Sequence, residues 1–241
     1  MKLSIKRFVY ESMKELTVTG RLLLGLVIGI VPAVMVAGFI ISHPDTEFYI
    51  KHVTNFYCML GMLMAVLTSI YLISRDFSTG AITLISNSRY NRRSYVFANM
   101  IVAVLVAFIY AVIGVAVAVI CSGMGVPGRF GFGFLSGFFL NVILVIPTYF
   151  MLCYIIFLKG AGNGTVYTLL TAALLFLPNL ISNILPSIHS KLVRSLIENT
   201  PLYYYPIYVG SRALSLLQYA IGAAVLIIGF MYILNKSKRY K

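Results

Sequence analysis

Ile73-Ser74-Arg75-Asp76-Phe77-Ser78-Thr79-Gly80-Ala81-Ile82-Thr83-Leu84-Ile85, with Arg89 to Ser94 close behind, is the stretch from which the rest of the chain can be read. It is a polar, helix-like insert between two segments, about 56–74 and 95–120, that are far too apolar to live in water. Apolar runs of about 20 residues match a bilayer core of roughly 30 Å at 1.5 Å per helical residue. The insert is therefore a polar link between two membrane spans, and the natural place for a soluble partner to act on the chain.

Four more runs of the same kind complete the count. Six spans are expected at about 22–41, 56–74, 95–120, 132–158, 165–185 and 213–234, so the whole chain reads as one all-α integral membrane domain. Pro32 and Pro147 lie inside the first and fourth spans, where they predict kinks, and Pro178 interrupts the fifth. Composition agrees: 60% of the residues are hydrophobic and 10% charged, against a usual charged share of about 25%. A soluble fold would have to hide six such runs with very little polar surface. Cys58, Cys121 and Cys153 are too widely spaced for a zinc site and odd in number for a disulfide framework, and they read as packing residues.

Residues 1–20 do not have the form of a cleavable signal, because Glu11 and Glu15 interrupt a long charged stretch. Ile5, Phe8, Val9, Ser12, Met13 and Leu16 share one helix face, Lys6, Tyr10 and Lys14 share another, and Arg7 stands four before Glu11 for an ion pair. An apolar stripe beside a basic face describes an amphipathic helix lying in the membrane interface, or one docked on a partner. The net charge of +13 has no separate basic domain behind it, which argues against nucleic acid and for anionic lipid head groups. With both termini inside, 14 of the 19 Lys and Arg face the cytoplasm, including Lys159 and the tail Lys236, Lys238, Arg239 and Lys241. Lys51, Arg129, Lys191, Arg194 and Arg212, five in all, face outward. That bias predicts a multi-pass plasma-membrane protein with both termini and the insert in the cytoplasm.

The spans lack the chemistry of several membrane functions. Glu11, Glu15, Asp45, Glu47, Asp76 and Glu198, with His43, His52 and His189, all read as lying outside them, which counts against a proton-coupled carrier. No zinc-protease helix, serine elbow or phosphate-binding loop is present, so no hydrolytic or ATPase activity is expected of this chain. Asn141, Thr148, Asn179, Ser182 and Asn183 read as bonds between helices, and Gly25 with Gly29 and Gly133 with Gly137 as close helix contacts. Outside, Ile188, Leu192 and Leu196 form a stripe, and Tyr203 to Tyr205 read as interfacial aromatics.

Within the insert, Phe77, Ala81, Leu84 and Ile85 fall on one face of a short helix, with Asp76 near its start to accept free backbone N–H groups. Ser86-Asn87-Ser88 ends it, and Arg89, Arg92 and Arg93 open the third span. Six spans, an N-terminal amphipathic helix, and an acidic residue and glycine after span 2 followed by arginines resemble the ABC-2 type permeases. The small loops are most similar to Gram-positive peptide-export or immunity permeases, such as phenol-soluble modulin exporters. The family usually has Glu at the position of Asp76 and a proline before the arginines. The resemblance implies a coupling helix between spans 2 and 3, with docking carried by Asp76, Phe77, Gly80, Leu84, Ile85, Arg89, Arg92 and Arg93. It implies a cytoplasmic ATP-binding-cassette partner holding ATP and Mg, no cofactor on this chain, a second permease copy, and export of an amphipathic or hydrophobic substrate such as a peptide toxin. The alternative is an immunity protein that sequesters a toxin or sensor without transporting it.

Overall fold

In a bilayer every backbone N–H and C=O needs a partner within its own segment, and a helix provides it. The computed structural model describes residues 2–85, 87–128 and 131–236, and all regular structure among them is helical. Arg129 and the tail cations Lys238, Arg239 and Lys241 lie outside the described residues. The helices are α1 (Ile5–Val18), α2 (Arg21–Ser42), α3 (Ile50–Ser78), α4 (Ala81–Ile85), α5 (Arg89–Gly123) and α6 (Phe132–Leu158). A fifth span follows as α7 (Asn163–Thr171), a π-helical turn Ala172–Phe176, α8 (Leu177–Ile184) and a 3₁₀ turn Leu185–Ser187. Then come α9 (Lys191–Glu198), α10 (Pro201–Tyr208) and α11 (Leu216–Lys236). Six stretches, at α2, α3, α5, α6, Asn163–Ser187 and α11, are long and apolar enough to cross a membrane. The chain is a multi-pass, all-α membrane protein.

Helices α3 and α6 form the centre, with 61% of their apolar windows buried, against 28% for α2 and 22% each for the fifth span and α11. Helix α5 packs on both central helices, α2 on α3, and α11 on α6. Because lipid tails are as apolar as leucine, these contacts rest on close packing rather than on escape from water. The expected small-residue contact occurs at Gly25 and Gly29. A Cβ added at Gly29 would sit 3.0 Å from the Gly61 Cα, and one at Gly25 would collide with the Tyr110 hydroxyl. The Gly133 and Gly137 pair divides: Gly137 seats Ala213, while Gly133 faces open space.

The spans begin and end in different places from those expected. Helix α5 starts at Arg89, six residues before the apolar run, because Ser88 caps it by accepting from the Asn91 N–H at 3.1 Å. Helices α2 and α6 stay helical through Pro32 and Pro147. The fifth span also stays helical but widens into a π turn just ahead of Pro178. The last span begins at Leu216 rather than 213. All three cysteines are buried and free.

At the end opposite α4, polar groups sew the chain after α10 to the bundle. Asn141 Nδ2 donates to the Val209 and Arg212 carbonyls at 3.2 and 2.9 Å, its Oδ1 accepts from the Tyr219 hydroxyl at 2.8 Å, and Thr54 donates to the Gly210 carbonyl. Asn141 is thus the interhelical bond expected of it. Thr148 and Asn179 instead bond carbonyls of their own helices. Tyr203, Tyr204 and Tyr205 are not an interfacial belt: α10 turns them inward, and Tyr204 donates to the Gln218 carbonyl at 2.7 Å. The stripe before them is also shorter than expected, since Ile188 precedes α9 in extended backbone while Leu192 and Leu196 stand exposed on it.

Candidate functional site

Helix α3 runs past the apolar stretch to Ser78, which moves Asp76 from the insert into the last turn of a span. The helix ends where Gly80 takes a left-handed φ of +70°, a conformation that suits glycine. The Arg75 carbonyl accepts from the Ser78 and Thr79 hydroxyls and from the Thr79 N–H, each at 2.9 Å. The five residues of α4 follow, anchored inward by Ile82, and Ser88 starts α5. Ser86 lies outside the described residues.

The side chains read as one docking set separate into two groups. Asp76 is 2% exposed, and Phe77 lies against Phe157 and Tyr154, with ring centroids 5.7 and 6.4 Å away. Neither faces outward. Asp76 does not accept the backbone N–H groups of a following helix. It is also a buried carboxylate two residues beyond the apolar run of 56–74, on the same continuous helix. The cause is its partners. Arg75 Nη2 and Nε donate to Asp76 Oδ1 at 2.9 and 3.1 Å, and the Tyr95 hydroxyl donates to Oδ2 at 2.8 Å. Both carboxylate oxygens are occupied, which is what allows a charge to be buried here.

The same arginine reaches across to α1. Arg75 Nη1 donates to Glu15 Oε1, so Glu15 pairs with Arg75 rather than Arg7 with Glu11. Phe8 packs edge-on against Tyr95, with ring centroids 5.5 Å apart. Glu15, Arg75, Asp76 and Tyr95 thus fasten α1, α3 and α5 together. The face of α1 expected from its spacing is the face that packs, with Ser12 and Leu16 fully buried against the bundle. Glu15, Arg75 and Tyr95 join the site only through the fold. Their only sequence signal was the adjacent Arg75-Asp76 pair, since the distance from 15 to 75 to 95 carries no periodicity.

The second group faces outward. Leu84 is 79% exposed, Gly80, Arg89 and Arg93 are exposed, and Ile85 and Arg92 are half-buried. Leu84 and Ile85 form one wall of a cleft of about 610 Å³ whose other wall is the start of α1: Lys2, Leu3, Arg7 and Phe8, with Glu11. Asn91 closes its floor, accepting from the Leu3 N–H at 2.9 Å and donating to Asn87 Oδ1 at 2.8 Å. Lys2 lies over the Tyr90 ring. The cleft is basic at its rim and apolar on its walls, a surface suited to a protein segment or an anionic amphiphile.

No protein-family model and no curated protein matches this chain.

No nucleophile and base lie within reach of one another among the residues just described. What they form is a short helix with Leu84 exposed, next to the end of α3, where Asp76 bonds Tyr95 of α5 and Phe77 packs on Phe157 and Tyr154 of α6.

Proposed function

We propose that this chain is the membrane-spanning permease subunit of an ATP-binding-cassette exporter, acting with a separate ATPase and a second permease copy. The carrying observation is the position of Leu84. It stands exposed on a helix of five residues clamped between α3 and α5, beside a cleft that α1 completes. A push on α4 would pass through Thr79 and Gly80 into α3, whose last turn is bonded to α1 and α5. ATP binding on the partner would then shift the spans between two packings. The positive-inside bias supports cytoplasmic placement of α4 and both termini. The substrate in this reading is amphipathic or hydrophobic and enters from the membrane, consistent with lipid-facing helices that carry mild polar groups.

Docking in this proposal falls on Leu84, Gly80, Ile85, Arg89, Arg92 and Arg93, while Asp76 and Phe77 transmit force. The test is detergent co-purification of the full chain with ATPase activity measured on whatever accompanies it. Leu84→Asp combined with Arg89→Glu is expected to lose the ATPase while keeping the wild-type melting temperature, since both side chains are exposed. Retention of a full complement of ATPase by that variant, or no ATPase with the wild type, overturns the reading and favours sequestration.

A further inference from the structure

A second site lies away from α4, where α2, α3 and α7 converge at the same end of the bundle. A pocket of about 300 Å³ is lined there by Arg21, Leu24, Met64, Leu67, Thr68, Tyr71, Tyr167 and Thr171. Arg21 is the first residue of α2. Its guanidinium carbon stands over the Tyr71 ring, 3.6 Å from the centroid, a cation–π contact that holds the charge in place without using a carboxylate. None of the ion pairs among the described residues includes Arg21. Tyr167 is held from behind by a 2.7 Å hydrogen bond with Ser74, and Thr171 by donation to the Tyr167 carbonyl at 2.9 Å, so the wall is fixed rather than floppy. Leu24, 58% exposed, opens the apolar side of the pocket toward the outer surface of the bundle.

We infer that this pocket binds an anionic lipid, with its phosphate on Arg21 and the Tyr71 hydroxyl and the start of its acyl chain along Leu24, Met64 and Leu67. Three features select that class. The cation is held by the Tyr71 ring and has no carboxylate to neutralise it. Polar groups stand at one side and apolar side chains at the other, the order in which a lipid presents its head and tail. The pocket also sits at the end of the bundle that carries Arg75, Arg89, Arg92, Arg93 and Lys159, where basic pockets between spans meet anionic head groups. The inference needs only that the chain lies in a bilayer. It is independent of any ATPase partner.

The test is native mass spectrometry of the full chain released from nanodiscs of equal parts phosphatidylglycerol and phosphatidylcholine. The wild type should retain phosphatidylglycerol in preference to phosphatidylcholine, and Arg21→Gln should lower that preference about five-fold, the factor for one cation near an anionic head group. Lys159→Gln, which removes a charge from the same end but not from the pocket, should leave it unchanged. Thr171→Phe keeps Arg21 and fills the cavity, and it too should lose the lipid, which separates the pocket from mere surface charge. Dodecyl phosphate should displace the lipid and inorganic phosphate should not. Equal retention of the two lipids by the wild type, undiminished preference in Arg21→Gln or Thr171→Phe, or displacement by inorganic phosphate alone overturns the assignment.

Discussion

Asp76 and Leu84 lie eight positions apart and have opposite fates. Asp76 is buried with both oxygens bonded, so its removal strips a partner from Arg75 and leaves the Tyr95 hydroxyl without its acceptor. The surviving Arg75 is 38% exposed and keeps Glu15, so its lost pair is screened and adds at most about 1 kcal/mol, while stripping the acceptor from a buried hydroxyl costs about 1–3 kcal/mol. Asp76→Ala, which loses the Arg75 pair and the Tyr95 acceptor together, is therefore expected to lower the melting temperature in detergent by more than Tyr95→Phe, with Leu84→Ala near wild type. A loss from Asp76→Ala no larger than that from Leu84→Ala would remove the latch from the account. At this scale the residues of the insert were legible and their directions were not. The spacing of Phe77, Ala81, Leu84 and Ile85 describes one helix face only if the helix is continuous, and Gly80 interrupts it. A change of direction at a left-handed glycine resets which side chains point inward. Ile82, off the expected face, became the anchor as a result.

Element by element, the apolar runs gave the number of spans and their order, because hydropathy over about 20 residues is a bulk property. Their ends were less visible. Arg89 to Ser94 are polar and helical, and only the cap at Ser88 marks the start. The two glycine pairs show the same limit. Gly25 and Gly29 lie within the length of α2 that faces α3, whereas Gly133 is in the first turn of α6, next to Phe132 at 87% exposure, where a Cβ would meet no described atom within 4 Å. Spacing alone treats the pairs as equal. Gly29→Val should destabilise the protein by about 1–3 kcal/mol, since its Cβ meets Gly61 backbone that cannot rotate away. Gly133→Val should fall within about 0.5 kcal/mol of wild type. Thermal unfolding of the two variants in one detergent decides between them, and equal losses would mean that α2 and α3 do not approach as closely as Gly29 and Gly61 indicate.

For the whole molecule, the open quantity is which end faces the cytoplasm. Alternation of six crossing helices puts α4 and α9 at opposite ends, and each carries an exposed leucine: Leu84 at 79% and Leu192 at 70%. The proposed cytoplasmic placement of α4 follows from the charge bias: the end bearing Arg75, Arg89, Arg92, Arg93 and Lys159 would be held back by the positive-inside rule, while α9 carries Lys191 and Arg194 balanced in part by Glu198, which bonds Arg194 at 3.0 Å. Native thiols do not obscure a labelling test, since Cys58, Cys121 and Cys153 are all buried. Leu192→Cys should therefore react with a membrane-impermeant maleimide on intact cells, and Leu84→Cys only after the membrane is opened. The reverse pattern would invert the orientation and place the α1–α4 cleft out of reach of any cytoplasmic ATPase. Labelling of both sites from one side would break the alternation itself, and with it the count of crossings on which the fold rests.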